Sequence, residues 1–489
     1  MPEQTLKDKT AKGLLWGGLS NTLQQALNLI FGIFLARLLT PGDYGMVGMI
    51  SVFAMIANNI QEAGFTQALA NKRDITDNDY NAVFWASVLS SVCIYTLLFF
   101  CAPLIADFYN TPALTPLSRY LFLGFVFGSF GIAHYAYIFK NLMVKQRAIA
   151  NVSALVVSGV VGVIMAWNGF AYWGIATQTI LYTSVNSICY WHFSRWRPTF
   201  HFDFSPLKGM IGFSSKLMVN NIVYHINNNV LNVVLGRFYD KNDVGYFTQA
   251  NKWNNMGYSV VSGMVSGVAQ PVLASIPSDD GERRLRAFRK MLRFTSFVSF
   301  PAMLGLALIA PEFITIAITE KWLPSAEMMQ IICVAGAFIP ISNLYSNLMV
   351  SLGKSSIVMW SNIVMSICYI SSVLLLRGYG IYAMVCAYAS VQIIWLIFWQ
   401  TIGYKNVGIT MINATMDIAP FLILASGSMA LAYYLSSPIS NIYISLACKI
   451  VVAAAAYVLS AWACGSATLR ECAHYIYTHY IYPHYIFKK

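Results

Sequence analysis

Asn21, Gln25 and Asn28 are spaced i, i+4, i+7 in an otherwise apolar stretch, and 200 residues later Asn221, His225 and Asn228 repeat that spacing. At about 100° per residue each trio falls on one helix face. Amides and an imidazole so arranged can hydrogen-bond a hydroxyl-bearing ligand, or bridge neighbouring helices at about 1 kcal/mol each. Gln24 joins the first face. The second is more polar: Asn221, His225, Asn228 and Asn232 share about 60° of arc, and Lys216, Asn220 and Asn227 form a patch beside them. That many donors and acceptors exceed what packing needs, so a wet, cavity-lining face is the expectation. The next helix adds Asn251, Lys252 and Asn255 in a stripe with Thr248 and Ser259. A lysine near mid-membrane costs about 2.5–3.5 kcal/mol on insertion scales. Lys216 and Lys252 therefore either snorkel to the interface or face an anionic group, which fixed cations in a low-dielectric cavity would hold.

The surrounding chain decides what these residues stand in. Of its 489 residues 57% are hydrophobic and 10% charged, where soluble proteins carry about a quarter charged. Mean hydropathy is +0.59. This is an integral-membrane composition. The net charge of +12 forms no continuous basic face, which argues against nucleic acid. Nine scattered cysteines show no metal spacing, so neither metal nor cofactor is expected. Lys7, Lys9 and Lys12 lead into a first helix too long for a cleaved signal.

Fourteen segments between residues 13 and 464 are long enough to cross a hydrocarbon core of about 30 Å. With the N-terminus inside, 22 of the 31 Lys and Arg residues fall on the cytoplasmic side, six outside and three within segments. That bias places both termini in the cytoplasm. At the offset of 200, Arg37, Asp43 and Gly45 match Arg237, Asp243 and Gly245. Ala102-Pro103 recurs as Ala310-Pro311, Asn141-Leu142-Met143-Val144 as Asn347-Leu348-Met349-Val350, and Gly169-Phe170 as Gly378-Tyr379. The expected architecture is an all-α polytopic membrane protein with a parallel six-helix repeat. An N-lobe (1–197) and a C-lobe (205–403) would enclose a cavity, with two extra helices (410–465) and a cytoplasmic or interfacial tail (466–489).

LARLLTPGDYG at Leu35–Gly45, its echo LGRFYDKNDVGYF at Leu235–Phe247, and the fourteen-helix plan resemble the polysaccharide-exporter (Wzx-type O-antigen flippase) branch of the multidrug/oligosaccharidyl-lipid/polysaccharide superfamily. The resemblance implies a flippase moving a polyprenyl-diphosphate-linked oligosaccharide across the bacterial cytoplasmic membrane by alternating access, for surface polysaccharide synthesis. It implies membrane lipids and other polysaccharide assembly proteins as partners, and a groove for the polyprenyl tail along the two extra helices. Members often carry an acidic residue in the seventh helix shortly before the Arg; here that position is Leu231.

Several features have plainer readings. Arg37 and Arg237 lie at helix C-termini and Asp43 and Asp243 at N-termini, where each complements the helix dipole or caps free groups. His225 could carry a coupling proton, although a neutral imidazole among amides is favoured. Asp77-Asn78-Asp79 mimics a sugar-nucleotide DxD, yet no loop has room for such a domain; capping is expected. His474, His479 and His484 share no helix face. An ion-coupled multidrug exporter of the same fold would want intramembrane carboxylates, and the nearest acids, Glu62 and Asp417, lie toward cytoplasmic helix ends. A membrane glycosyltransferase or polymerase would need a large loop or a catalytic constellation.

Overall fold

The computed structural model describes residues 6–62, 65–72, 74–277 and 280–476, and no strand occurs among them. The first compact unit spans Met1–Thr248. It holds α1 (Leu6–Leu38), α2 (Pro41–Glu62), α3 (Phe65–Asn71), α4 (Asp77–Phe108), α5 (Leu114–Leu121), α6 (Leu123–Lys140), α7 (Val144–Trp167), α8 (Tyr172–Phe193), α9 (Lys208–Phe238) and the start of α10 (Lys241–Ser275). The second unit, Gln249–Lys489, holds the rest of α10 and α11 (Gly281–Leu308), α12 (Ala310–Ile318), α13 (Leu323–Gly336), α14 (Ile339–Ser351), α15 (Ser355–Leu375), α16 (Ile381–Val407), α17 (Met411–Ser436), α18 (Ile442–Ala463) and α19 (Ala467–Ile476). Among the described residues, nine helical segments are long and apolar enough to cross a membrane. The other five expected spans coincide with α1, α2, α8, α9 and α10, helices of 22 to 35 residues. This is a multi-pass membrane protein.

The two copies of the repeated motif make the same corner. The chain leaves helix after Leu38 and after Phe238, and resumes at Pro41 and Lys241. Leu39 and Tyr239 N–H donate to the Leu35 and Leu235 carbonyls, and Asp43 and Asp243 N–H to those of Thr40 and Asp240. Thr40 and Asp43 form a reciprocal cap: the Thr40 N–H reaches Asp43 Oδ2 at 2.9 Å and the Asp43 N–H reaches Thr40 Oγ1 at 3.3 Å. In the copy, the Asp240 N–H reaches Asp243 Oδ2 at 3.4 Å. The capping reading of both aspartates therefore holds.

Later marks keep their place at some points and not at others. Thr111 and Thr319 N–H close the third helix of each half onto Ala106 and Ile314, in step with the Ala-Pro echo. Ala171 (φ 48°) and Gly380 (φ 94°) precede α8 and α16, in step with the Gly-aromatic echo. The Asn-Leu-Met-Val match is a correction. In the first half Asn141–Met143 form the turn between α6 and α7, whereas Asn347–Val350 lie inside α14. The true counterpart of that turn is Leu352–Lys354. Met143 and Lys354 N–H donate to the Ile138 and Met349 carbonyls, Leu142 and Gly353 N–H to those of Phe139 and Val350. Both are Schellman closures with a positive φ at Leu142 and Gly353. Four identical letters misplaced the register by five residues because backbone geometry, not side-chain identity, defines this turn.

The loop after α8 docks on the start of α4. Asn81 Oδ1 accepts from the Thr199 N–H at 2.9 Å and Trp85 Nε1 donates to the Thr199 carbonyl at 2.8 Å. Asn78 Nδ2 donates to Asp203 Oδ2 at 2.8 Å. The Ser205 hydroxyl and N–H, with the Asn78 amide, hold the Asp203 carboxyl down to about 2. Asp79 is 1% exposed, pairs with Lys72 at 2.6 Å and caps the Thr76 N–H at 2.8 Å. The Asp-Asn-Asp run is thus a capping and loop-clamping device. Asp79→Ala should lower stability by about 1–2 kcal/mol, while Asp77→Ala, at an exposed position, should be nearly neutral. Thermal unfolding of the two purified variants checks this; equal melting points would remove the structural role of Asp79.

In the second unit α17 and α18 are clamped to α11 and α12. Asp417 (α17) receives the Arg289 guanidinium at 2.6 and 3.1 Å. Lys449 (α18) meets Glu312 Oε1 at 2.5 Å, with both side chains nearly buried. Tyr457 donates to the Phe297 carbonyl at 2.8 Å. The two extra helices are therefore tied by charge and hydrogen bonds to the helices before them. Glu312, in the first turn of α12, is held by Lys449 with its side chain 13% exposed.

Candidate binding site

A cavity of about 350 Å³ lies within the first unit. Its walls come from α1 (Ser20, Asn21, Gln24), α2 (Glu62), α3 (Thr66), α6 (Tyr135), α7 (Arg147, Asn151) and α8 (Tyr182, Asn186, Tyr190). Each element supplies these groups by simple periodicity. Arg147 and Asn151 are i, i+4 on α7; Tyr182, Asn186 and Tyr190 are i, i+4, i+8 on α8, and so share a face. Gly131 opposite lets α8 approach, since a Cβ there would meet Ser187 Oγ at 2.6 Å.

Part of the lining is fixed by internal bonds. The Tyr190 hydroxyl donates to Asn151 Oδ1 at 2.9 Å, and Gln24 Nε2 donates to Ser20 Oγ at 2.8 Å. Other groups of the lining lack such partners. Asn186 is 7% exposed and its Oδ1 has no hydrogen-bond partner among the described residues. Neither Arg147 nor Glu62 belongs to an ion pair among the described residues. Unpaired charges in a membrane protein are costly unless they face water or a polar ligand. Hydroxyls, amides, three tyrosines, one guanidinium and one carboxylate make a surface for a hydroxyl-rich or phosphorylated ligand.

The structure divides the expected residues. Asn21 lines this cavity; Gln25 and Asn28 are exposed on α1 and do not line it. Asn221, His225 and Asn228 are partly exposed on α9. Asn232 is 3% exposed and accepts from Thr248 Oγ1 at 3.2 Å, so it serves the packing of α9 on α10. Lys216 and Asn220 fall on α9, but their side chains lie outside the described residues. Asn251, Lys252 and Asn255 are half-buried on α10 in the second unit. Lys252 Nζ stands 5.6 Å from the ring centre of Trp253, a cation–π contact that offsets part of its desolvation. Leu231 is buried at 1%, an apolar packing residue.

The paired glycines and Arg237 of the motif pack against backbone. A Cβ on Gly45 would meet the Lys241 carbonyl oxygen at 1.8 Å, and one on Gly245 would meet the Pro41 carbonyl oxygen at 1.9 Å. The two corners cross at these glycines, each against the backbone of the other, as a two-fold pair would. Arg237 Nη1 donates to the Phe108 carbonyl at 2.7 Å and its guanidinium lies over the Phe108 ring. The cation thus closes the C-terminus of α4 instead of its own helix. Sequence reasoning missed Arg147, Asn151, Tyr182, Asn186 and Tyr190. Their i, i+4 spacing was readable, but nothing in it shows that α7 and α8 turn those faces toward α1.

The profile of a family described as "Polysaccharide biosynthesis protein" matches residues 34–327. The lipopolysaccharide biosynthesis protein WzxC of Escherichia coli (strain K12) is 24% identical over 377 residues, covering 76% of each chain. The teichuronic acid biosynthesis protein TuaB of Bacillus subtilis (strain 168) is 23% identical over 391 residues, covering 78% of each. Among solved structures, the lipid II flippase MurJ in an inward closed conformation is similar with a TM-score of 0.74 at 16% identity, covering 91% of this chain and 98% of that one. That likeness establishes a shared fold.

Proposed function

This chain belongs to the polysaccharide biosynthesis protein family, and we propose that it is a flippase for a polyprenyl-diphosphate-linked oligosaccharide. It is a transporter, not an enzyme. The observation that carries this reading is the polar cavity of the first unit, with Arg147, Glu62 and the unpartnered Asn186 carbonyl among tyrosines and amides. A lipid-linked glycan brings hydroxyls for the amides and aromatic faces, and phosphates for a guanidinium. The names of WzxC, TuaB and MurJ support a glycan- or lipid-linked cargo.

Around that function stands the finer reading. The protein sits in the bacterial inner membrane with both termini cytoplasmic, crosses it fourteen times, and works by alternating access. Its lobes are 1–197 and 205–403, with 410–465 and the tail 466–489 appended, and it works beside other polysaccharide assembly proteins. Within the first unit Asn21 contacts sugar in that cavity, and on α9 Asn220, Asn221, His225 and Asn228 serve sugar and Lys216 phosphate; within the second unit Asn251 and Asn255 serve sugar and Lys252 phosphate.

A deletion strain should accumulate lipid-linked repeat units in the inner leaflet and lose surface glycan, and the wild-type chain should restore both. Restoration by the Lys252→Ala chain at normal membrane level would remove the lysine from the site. Normal glycan in the deletion strain, with altered drug tolerance instead, would overturn the flippase reading.

A further inference from the structure

Six cations fall in eleven residues near the start of α11: Arg283, Arg284, Arg286, Arg289, Lys290 and Arg293. Asp417 accounts for only part of that charge. It takes Arg289 in two hydrogen bonds, and Arg293 reaches the same carboxylate at 3.5 Å. Two guanidiniums thus share one carboxylate that is 5% exposed, which leaves the group with net positive charge. Lys290 pairs with Glu471 of α19 at 2.8 Å, but with side chains 68% and 56% exposed that pair is weak.

Beside these cations runs a cavity of about 440 Å³, formed by α10, α11 and α19. Lys290, Arg293 and Glu471 are its charged lining residues; Val268, Val272, Met291 and Phe294 are among its apolar ones. The 28 residues of α11 give about 42 Å of helix, against a hydrocarbon core of about 30 Å. The first two turns of α11 therefore stand beyond the hydrocarbon, with Lys290 at its edge and Arg293 about one turn inside it, within snorkelling reach of the headgroups. Apolar walls meeting surplus cations at that level have the chemistry of a lipid carrying a phosphate.

We propose that this cavity binds one anionic phospholipid of the surrounding membrane. An acyl chain lies along Val268, Val272 and Phe294, and the phosphate sits against Arg293 and Lys290. Any membrane lipid can fill the apolar part; the surplus charge selects the headgroup. A zwitterionic headgroup brings its own cation toward Arg293 and cancels the gain, whereas a net-negative one neutralises the group. The guanidinium suits the phosphate because its donors form a planar fork. Glu471, 2.8 Å from Lys290, competes with the phosphate for that cation. The inference depends on the chain being a membrane protein and not on its cargo.

The test is native mass spectrometry of the purified full chain titrated with phosphatidylglycerol and with phosphatidylcholine of the same acyl chains. Wild type should bind phosphatidylglycerol about tenfold more tightly. Lys290→Gln, a change at an exposed side chain, should reduce that preference about threefold, and Lys290→Gln with Arg293→Gln should abolish it. Val268→Trp fills the groove and leaves the charges, and should weaken both lipids. Equal binding of the two lipids by wild type, a preference unchanged in the double variant, or affinities unchanged in Val268→Trp would overturn the site. Neither readout requires transport, so a failed flippase assignment and a failed lipid site are separable.

Discussion

Alanine at Gly45 is expected to abolish glycan export and to lower the melting temperature of the purified protein by about 5 °C or more. The added Cβ would stand 1.8 Å from the Lys241 carbonyl oxygen, well inside van der Waals contact. That oxygen belongs to backbone at the first turn of α10 and cannot swing away as a side chain would. The corner after α1 and the corner after α9 must then separate, and α2 loses its seat on α9. Gly245→Ala should do the same through the Pro41 carbonyl, at 1.9 Å. Gly263→Ala is the control. It lies within α10 with nothing inside 4 Å of an added Cβ, so alanine there should be neutral or slightly stabilising. Thermal melts monitored by size-exclusion fluorescence, with surface glycan measured in the same strains, read both effects. If Gly45→Ala melts and exports like Gly263→Ala, the crossing of the two corners is not what the glycines serve.

Arg147→Ala should reduce export about 10- to 100-fold with membrane level unchanged, the range expected for loss of a hydrogen-bonding contact from a charged group. The surroundings of the guanidinium set this expectation. It lines the cavity beside Asn151, Tyr190 and Asn186, with no carboxylate paired to it among the described residues. Removing it breaks no internal ion pair, so the loss should appear in transport and not in folding. Arg147→Lys keeps the charge without the fork and should recover only part of the activity. Asn186→Leu, which removes the unpartnered acceptor, should act in the same direction and more weakly. Translocation of lipid-linked repeat units into reconstituted vesicles separates these outcomes. Full transport by Arg147→Ala would move the binding site away from the first unit.

Membrane character, the corners at residues 38–41 and 238–241, and the caps at Asp43 and Asp243 were all legible in the sequence. Each follows from local physics. Long apolar runs partition into the hydrocarbon whatever packs beside them, and a carboxylate in a first turn finds free N–H groups without distant help. The Gly-aromatic echo was readable for the same reason, since the positive φ at Ala171 and Gly380 is a property of one turn. What the sequence could not decide was which polar face meets which. Gln25 and Asn28 share the stripe of Asn21, yet only Asn21 reaches the cavity, because the rotation of α1 against α7 is set by packing. Asn232, grouped with the wet face by its spacing, is drawn into a bond with Thr248. Glu312 and Lys449 are 137 residues apart, as Asp417 and Arg289 are 128 apart. No window along the chain shows that one charge buries the other. Local energies specified the helices and their ends; the fold alone chose the partners, because desolvated charges and amides are satisfied only by whatever group the packing brings within about 3 Å.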